Sequence, residues 1–133
     1  NLRELYLTGP IETIPESIFN LKKLEILDLS STKLKTIPQW ISKLESLETL
    51  DITKNEYLEA IPDISKYKKL KYFYITLYED ENYAKNKTAL ERLKLKAPDC
   101  YFGIIDKKGN AVELIELPKP TKPIKEPQYN NLK

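Results

Sequence analysis

The sequence predicts an α/β repeat solenoid, in which short parallel strands are stacked and joined by compact helical turns. An aliphatic pattern with the spacing of Leu2-x-x-Leu5-x-Leu7 occurs four times, and its later copies begin at Leu24, Leu47 and Leu70. The intervals between the copies are 22, 23 and 23 residues. Near-constant intervals of this length indicate units that cannot bury their apolar faces alone and do so by stacking on their neighbours.

The start of each unit is predicted to be a strand. Aliphatic residues alternate with other types in Leu5-x-Leu7, Leu27-x-Leu29 and Leu50-x-Ile52. A period of two is typical of a half-buried strand, so these aliphatic side chains should point into the core. Parallel stacking would then pair the free strand edges and make the aliphatic rows continuous.

The return path of each unit is predicted to be a helical or 3₁₀ turn. An Ile-Pro pair occurs at Ile14-Pro15, Ile37-Pro38 and Ile61-Pro62, and in the first unit Ile18 and Leu21 follow three residues apart. That spacing suits one face of a tight helix. Proline is tolerated at the start of such a turn, where its missing N–H has no partner in any case.

Each unit reads close to LxxLxLxxNxLxxIPxxIxxLxx, so residues 1–78 resemble the leucine-rich-repeat family. The resemblance implies a right-handed horseshoe segment that binds protein ligands on its concave strand face. Thr32 and Asn55 occupy the position where the family places an Asn that satisfies backbone groups of the turn. The first unit has Pro10 there, so we expect this ladder of polar side chains to be incomplete.

Residues 79–117 are predicted to form a C-terminal cap of loop, helix and β-hairpin. Thr88-Ala89-Leu90-Glu91 reads as the capping box that starts the helix, and Pro98 ends it. Residues 101–105 and 111–117 flank a five-residue loop, which favours the hairpin. The segment around Cys100 is similar to the closing element of many leucine-rich-repeat domains, so we interpret Cys100 as buried; a reactive thiol is the alternative.

Residues 118–133 are predicted to form an extended tail, because they combine four prolines with four lysines and have few apolar residues. The tail also contains a Pro-x-x-Pro spacing, which suits Pro-recognising domains but is common by chance. At the opposite end, the first predicted strand follows Asn1 directly. We expect that the chain is a fragment or a processed form, or that this end of the stack docks on another chain, since solenoids normally cap their terminal repeats.

Composition excludes several classes of function. The chain has one cysteine and no histidine, which rules out an internal disulfide, His-based catalytic triads and ordinary Cys/His zinc sites. A net charge of +2 from intermixed residues gives no reason to expect nucleic acid. No apolar run is long enough for a transmembrane segment. We therefore predict a protein that is not an enzyme and needs no cofactor or metal, located inside a cell or on a bacterial surface after removal of a signal sequence.

Candidate binding residues are the outward-facing strand positions of the predicted concave face. Asp28 and Asp51 fall on adjacent strands about 5 Å apart, between two tyrosines. Aromatic rings around a small charged centre are typical of protein-binding hot spots. The predicted partner-binding residues are Glu4, Tyr6, Ile26, Asp28, Thr49, Asp51, Tyr72 and Tyr74.

Three other interpretations of the two aspartates remain open. They could be a glycosidase pair, although an open sheet offers no cleft. They could help to bind a hard cation, or they could be turn-compatible surface residues without a ligand. The sequence thus favours a non-catalytic protein-interaction module that binds a protein partner. The alternative function is a structural subunit of a larger complex, which contacts its neighbours through the N-terminal edge and the tail.

Overall fold

The computed structural model describes residues 1–114, and these contain one parallel sheet of five strands in chain order. The strands are β1 (Glu4–Tyr6), β2 (Ile26–Asp28), β3 (Thr49–Ile52), β4 (Tyr72–Thr76) and β5 (Tyr101–Ile105). Every strand pairs in register with the next, so Leu5, Leu27, Leu50, Phe73 and Phe102 form one row across the sheet. The predicted parallel stacking of the repeats is confirmed.

Three 3₁₀ turns form the return paths of the first three units. They span Glu16–Asn20, Gln39–Lys43 and Ile64–Lys66. The first two follow Pro15 and Pro38 directly, as the Ile-Pro pairs predict. The third is shorter and is capped by Asp63, whose carboxylate accepts a hydrogen bond of 3.1 Å from the Ser65 N–H. The return path of the third unit therefore differs from those of the first two, while its strand stays in register.

The core lies between the sheet and these turns. It is built from the aliphatic side chains of the repeat pattern, and Leu27, Leu50 and Phe73 are completely buried. Ile18, Ile41 and Ile64 supply one buried side chain from each 3₁₀ turn. The apolar positions of the repeat pattern thus account for most of the core, and burying them is the main source of stability.

Helix α1 (Tyr83–Lys96) begins six residues earlier than the sequence predicts. Thr88 lies inside the helix rather than at its start, so the prediction of a capping box is wrong. The preceding turn is closed by Asp80, which accepts hydrogen bonds from the backbone of Asn82 and Tyr83, and the residues that follow are compatible with a helix. Leu90 and Leu93 are buried on one side of the helix, as expected.

The predicted β-hairpin is seen in part within the described residues. Its first arm is β5, which pairs in parallel with β4 over five residue pairs. Its second arm is reduced, within the described residues, to one antiparallel bridge between Ile105 and Ala111. One edge of β5 thus extends the parallel sheet, and its other edge carries the start of the hairpin. Residues 115–117 of the second arm and the predicted tail, residues 118–133, lie outside the described residues.

Candidate functional site

The sheet face opposite the core, here called the outer face, carries the side chains predicted to bind a partner. The register places them in two rows. The first row contains Glu4, Ile26, Thr49, Tyr72 and Tyr101, and the second row contains Tyr6, Asp28, Asp51, Tyr74 and Gly103. All eight predicted residues therefore lie on one face. Tyr101 and Gly103 were missed because their strand was assigned to a hairpin.

Exposure varies sharply along these rows. Glu4 is exposed, Tyr6 is 46% exposed, and Ile26 and Tyr72 are partly buried. In contrast, Asp28 is 1% exposed, Asp51 0%, Tyr74 1% and Thr49 6%. Four of the eight predicted positions are thus buried, because alternation along a strand predicts which face a side chain occupies and not whether that face is covered. The role of all eight residues in binding stays a prediction.

Both aspartates also organise the turns that follow their strands. Asp28 Oδ1 accepts a hydrogen bond of 2.8 Å from the Ser30 N–H. Asp51 Oδ1 accepts bonds from the Thr53 N–H at 2.8 Å and from the Thr53 hydroxyl at 2.7 Å. A carboxylate that accepts a bond from the backbone two residues ahead stabilises a change of chain direction. The interpretation of these residues as turn-compatible therefore has direct geometric support.

The predicted polar ladder lies next to these turns. The Asn55 side-chain amide donates hydrogen bonds of 2.9 Å to the carbonyl oxygens of both Leu29 and Ile52. Its Oδ1 accepts a bond of 3.1 Å from the Thr32 N–H and another from the Thr32 hydroxyl. Asn55 thus joins the second unit to the third through groups that would otherwise be buried without partners.

An aromatic cluster occupies the β4–β5 end of the outer face. The Tyr101 ring centroid lies 6.4 Å from that of Tyr72 and 6.2 Å from that of Tyr74. Tyr74 lies against Gly103, where an added Cβ would be 2.3 Å from Tyr74 Cδ1. Glycine is therefore required at position 103 to leave room for the ring, and the three tyrosines form a cluster in which the Tyr74 ring is buried.

The opposite end of the outer face is acidic. The Tyr6 hydroxyl donates a hydrogen bond of 2.7 Å to Glu4 Oε1. This bond, with smaller contributions from burial and from the negative charges of Glu4 and Asp28, raises the pKa of Tyr6 to about 12. The two rows contain three carboxylates and no lysine or arginine. At the start of the strands, Arg3 and Lys71 are paired with Glu25 and Glu48. Of the three carboxylates only that of Glu4 is exposed to a ligand, since Asp28 and Asp51 are buried.

Within residues 1–114, no group of three or more acidic, cysteine or histidine side chains is arranged to hold a metal ion.

Cys100 is 4% exposed, and burial raises the pKa of its thiol to about 12. A thiol with so high a pKa is protonated at neutral pH and is a poor nucleophile, which argues against the reactive-thiol alternative. No helix in the described part of the chain is long and apolar enough to cross a membrane.

Comparison with known families agrees with the repeat pattern. Residues 1–56 match a family described as leucine rich repeat. These residues belong to the leucine-rich-repeat family. Domains of this family are generally protein-interaction modules and are typically non-catalytic. The parallel sheet of five strands fits the α/β fold of such repeats, and it continues in register for two strands beyond the matched residues. No curated protein matches the chain.

Proposed function

We propose that this leucine-rich-repeat protein is a non-catalytic interaction module whose outer face binds an extended basic segment of a partner protein. The observation that carries the proposal is the composition of the two rows, in which Glu4, Asp28 and Asp51 occur beside four tyrosines and no basic residue is present. Carboxylates form charge-assisted hydrogen bonds with Arg and Lys. Tyrosine rings attract the same cations through their π faces.

The exposed parts of the face lie at its two ends. Glu4 and Tyr6 are accessible on β1, and Tyr72 and Tyr101 are partly accessible on β4 and β5. Five strands spaced about 4.8 Å apart separate these ends by about 19 Å. About six residues of extended peptide cover that distance. A single extended segment could therefore place a basic side chain near Glu4 and another near the tyrosines.

Affinity capture with the full chain tests this proposal. The outer-face variant is Glu4→Lys/Tyr72→Ala, because neither side chain is among those that hold the turns after β2 and β3. The matched control is Glu16→Lys/Tyr57→Ala, which changes the same residue types at exposed positions away from the outer face. Circular dichroism and thermal melting first establish that both variants are folded.

The expected result is that a partner captured by the parent protein and by the control is lost with the outer-face variant. Its binding site should map to a Lys- or Arg-containing segment, and its retention should weaken as salt is added, because exposed charge pairs are screened. Equal capture by all three proteins would refute binding through the outer face.

A second candidate function is that of a structural subunit that assembles through the edge of β1. Leu2 is 45% exposed and Leu5 is only partly buried, whereas Leu24 and Leu27 at the equivalent positions of the next unit are completely buried. β1 also pairs with a strand of the described sheet on one side only. An open strand edge beside accessible aliphatic side chains suits pairing with another chain.

The substitution Leu2→Lys separates the two functions. It places a charge at the edge of β1 and leaves both rows of the outer face unchanged. If the protein is a structural subunit, this variant should lose the assembly seen by light scattering, while Glu4→Lys/Tyr72→Ala keeps it. The reverse pattern, with assembly unaffected and partner capture lost only with the outer-face variant, would favour the interaction module.

A further inference from the structure

A groove of about 760 Å³ lies between the second 3₁₀ turn and the third, away from the outer face. Its apolar lining comes from the Ile-Pro pairs of both units and from two aromatic rings, and all of these side chains are partly buried: Ile37, Pro38, Trp40, Ile61, Pro62 and Tyr67. Clefts of this volume are in the range that binds small ligands or short segments of a partner. The groove is therefore large enough to be a second binding site.

The sequence explains why the groove lies between these two turns. Phe19 of the first turn packs edge-on against Trp40 of the second, with the ring centroids 6.2 Å apart. The second unit has the smaller Ser42 at the position of Phe19. The third unit is one residue shorter after Pro62, so it has no counterpart of Trp40. The two rings that meet between the first and second turns thus have no equivalents between the second and third.

The charge that the groove offers to a ligand is positive. Lys43 and Lys66 line the groove and are exposed, and neither forms a salt bridge with a carboxylate of residues 1–114. Asp63 also lines the groove, but its Oδ1 already accepts hydrogen bonds from the N–H and the hydroxyl of Ser65. Two cations beside an apolar floor therefore remain for a ligand.

We propose that this groove binds a short acidic segment of a partner protein that carries an aromatic or large aliphatic side chain. The apolar side chain packs against Trp40 and the Ile-Pro pairs, where it gains contact area without losing a hydrogen bond. Flanking carboxylates of the segment pair with Lys43 and Lys66. The exposed lysines keep the rim of the groove in contact with water, which suits a segment that continues into a larger chain.

The inference goes beyond the proposed function, because the groove is separate from the outer face and selects the opposite charge. A protein with both sites holds a basic segment on its sheet and an acidic segment between its turns. Neither site needs the other, so each can be tested alone.

Fluorescence of Trp40 tests the proposal, since this is the single tryptophan of the chain and it lines the groove. The probe is the peptide acetyl-Glu-Phe-Glu-amide, titrated into the full chain. The expected result is a saturable blue shift of the emission, because the peptide covers the indole. Amide signals of residues 37 and 61 should shift in the same titration, while those of residues 4 and 72 on the outer face stay unchanged. A titration without a saturable shift, or with amide changes at the outer face only, would overturn the proposal.

Two further peptides separate the parts of the contact. The peptide acetyl-Lys-Phe-Lys-amide keeps the ring and reverses the charge, and acetyl-Glu-Gly-Glu-amide keeps the charge and removes the ring. Each should bind about tenfold more weakly than the first probe. Equal binding of either one would overturn the ligand chemistry proposed. Emission that changes with protein concentration in the absence of peptide would make a second copy the occupant and would also overturn it.

Charge variants test the role of the two lysines. Lys43→Glu/Lys66→Glu should weaken binding of the acidic probe by about tenfold, because each attraction becomes a repulsion. The matched control, Lys23→Glu/Lys69→Glu, changes two exposed lysines that do not line the groove and should leave the affinity within about twofold. Circular dichroism first establishes that both variants are folded. Equal affinity of the two variants would overturn the pairing. Because the readout comes from the groove, this result is independent of affinity capture through the outer face.

Discussion

The two faces of the sheet are equally inaccessible at its centre but differ in what makes them so. Leu50 and Asp51 are consecutive residues of β3, point to opposite faces, and are both 0% exposed. Leu50 needs only apolar neighbours, and the repeat supplies them from Leu27 and Phe73 in the same row. Asp51 needs polar partners, and Thr53 supplies two of them. Burial on the inner face follows from the repeat, whereas burial on the outer face depends on contacts particular to each position.

This difference separates stability from recognition. The inner row is aliphatic or aromatic at every strand, so the apolar side chains of each unit pack against those of the next without specific polar contacts. The outer rows change from acidic at β1 to aromatic at β5. A repeat that keeps its inner face constant can vary its outer face, which is where a partner would be distinguished.

The substitution with the largest expected effect is Leu50→Asp, which places a carboxylate without a partner in the inner row. The cost of burying an unpaired charge exceeds about 4 kcal/mol, so the stack should unfold. Circular dichroism with urea or heat measures this loss. Leu95→Asp, at an exposed helix position, is the control and should melt like the parent protein. Parent-like melting of Leu50→Asp would refute the register described above.

The polar contacts beside the outer face give the next largest effect. Asn55→Ala removes the hydrogen bonds to two carbonyl oxygens and to Thr32, and each buried group left without a partner costs about 1–3 kcal/mol. We expect a lower midpoint of urea unfolding, with Asn20→Ala at an exposed position nearly unchanged. A cost no greater than that of the control would mean that the ladder does not join the units.

The aromatic end of the outer face can be tested at Gly103. In Gly103→Ala the new methyl group would meet the Tyr74 ring, and overpacking of this kind costs about 1–3 kcal/mol. Tyr74→Ala loses packing by itself, but adding Gly103→Ala to it should cost little more, because the clash is then absent. A double-mutant cycle of unfolding free energies measures this coupling. Additive effects would show that the ring does not require the glycine.

Much of the inner face could be predicted from sequence, because a period of two and an interval of 22 or 23 residues determine both strand direction and register. The role of Asn55 followed from the family pattern. Near the C-terminal end, the predicted helix start was wrong and the fifth parallel strand was missed, because their signals are ambiguous. The run Tyr101–Ile105 has the same alternation in a hairpin arm as in a fifth parallel strand. Thr88 has the local signature of a helix start, but the residues before it also form a helix.

The outer face was harder to predict for a different reason. The eight candidate residues were assigned to the correct face, since alternation determines sidedness. Their exposure depends on what lies above the sheet, and that is a tertiary property without a local signal.

The smallest expected effect concerns the turns that follow the strands. Ser31 and Lys54 have positive φ angles of 55° and 57°, at the position where the first unit has Gly9 with φ 102°. A left-handed conformation costs a non-glycine residue about 1–2 kcal/mol, and glycine avoids this cost. Glycine also loses more entropy on folding, which destabilises the folded state by about 0.5–1 kcal/mol. Lys54→Gly should therefore stabilise the protein by about 0.5 kcal/mol in urea unfolding. Lys33→Gly is the matched control, because Lys33 has no positive φ and glycine should destabilise the protein there. If Lys54→Gly were destabilising to the same extent, the hydrogen bond of 2.9 Å from the Lys54 N–H to the Thr76 hydroxyl would not hold Lys54 in the left-handed conformation.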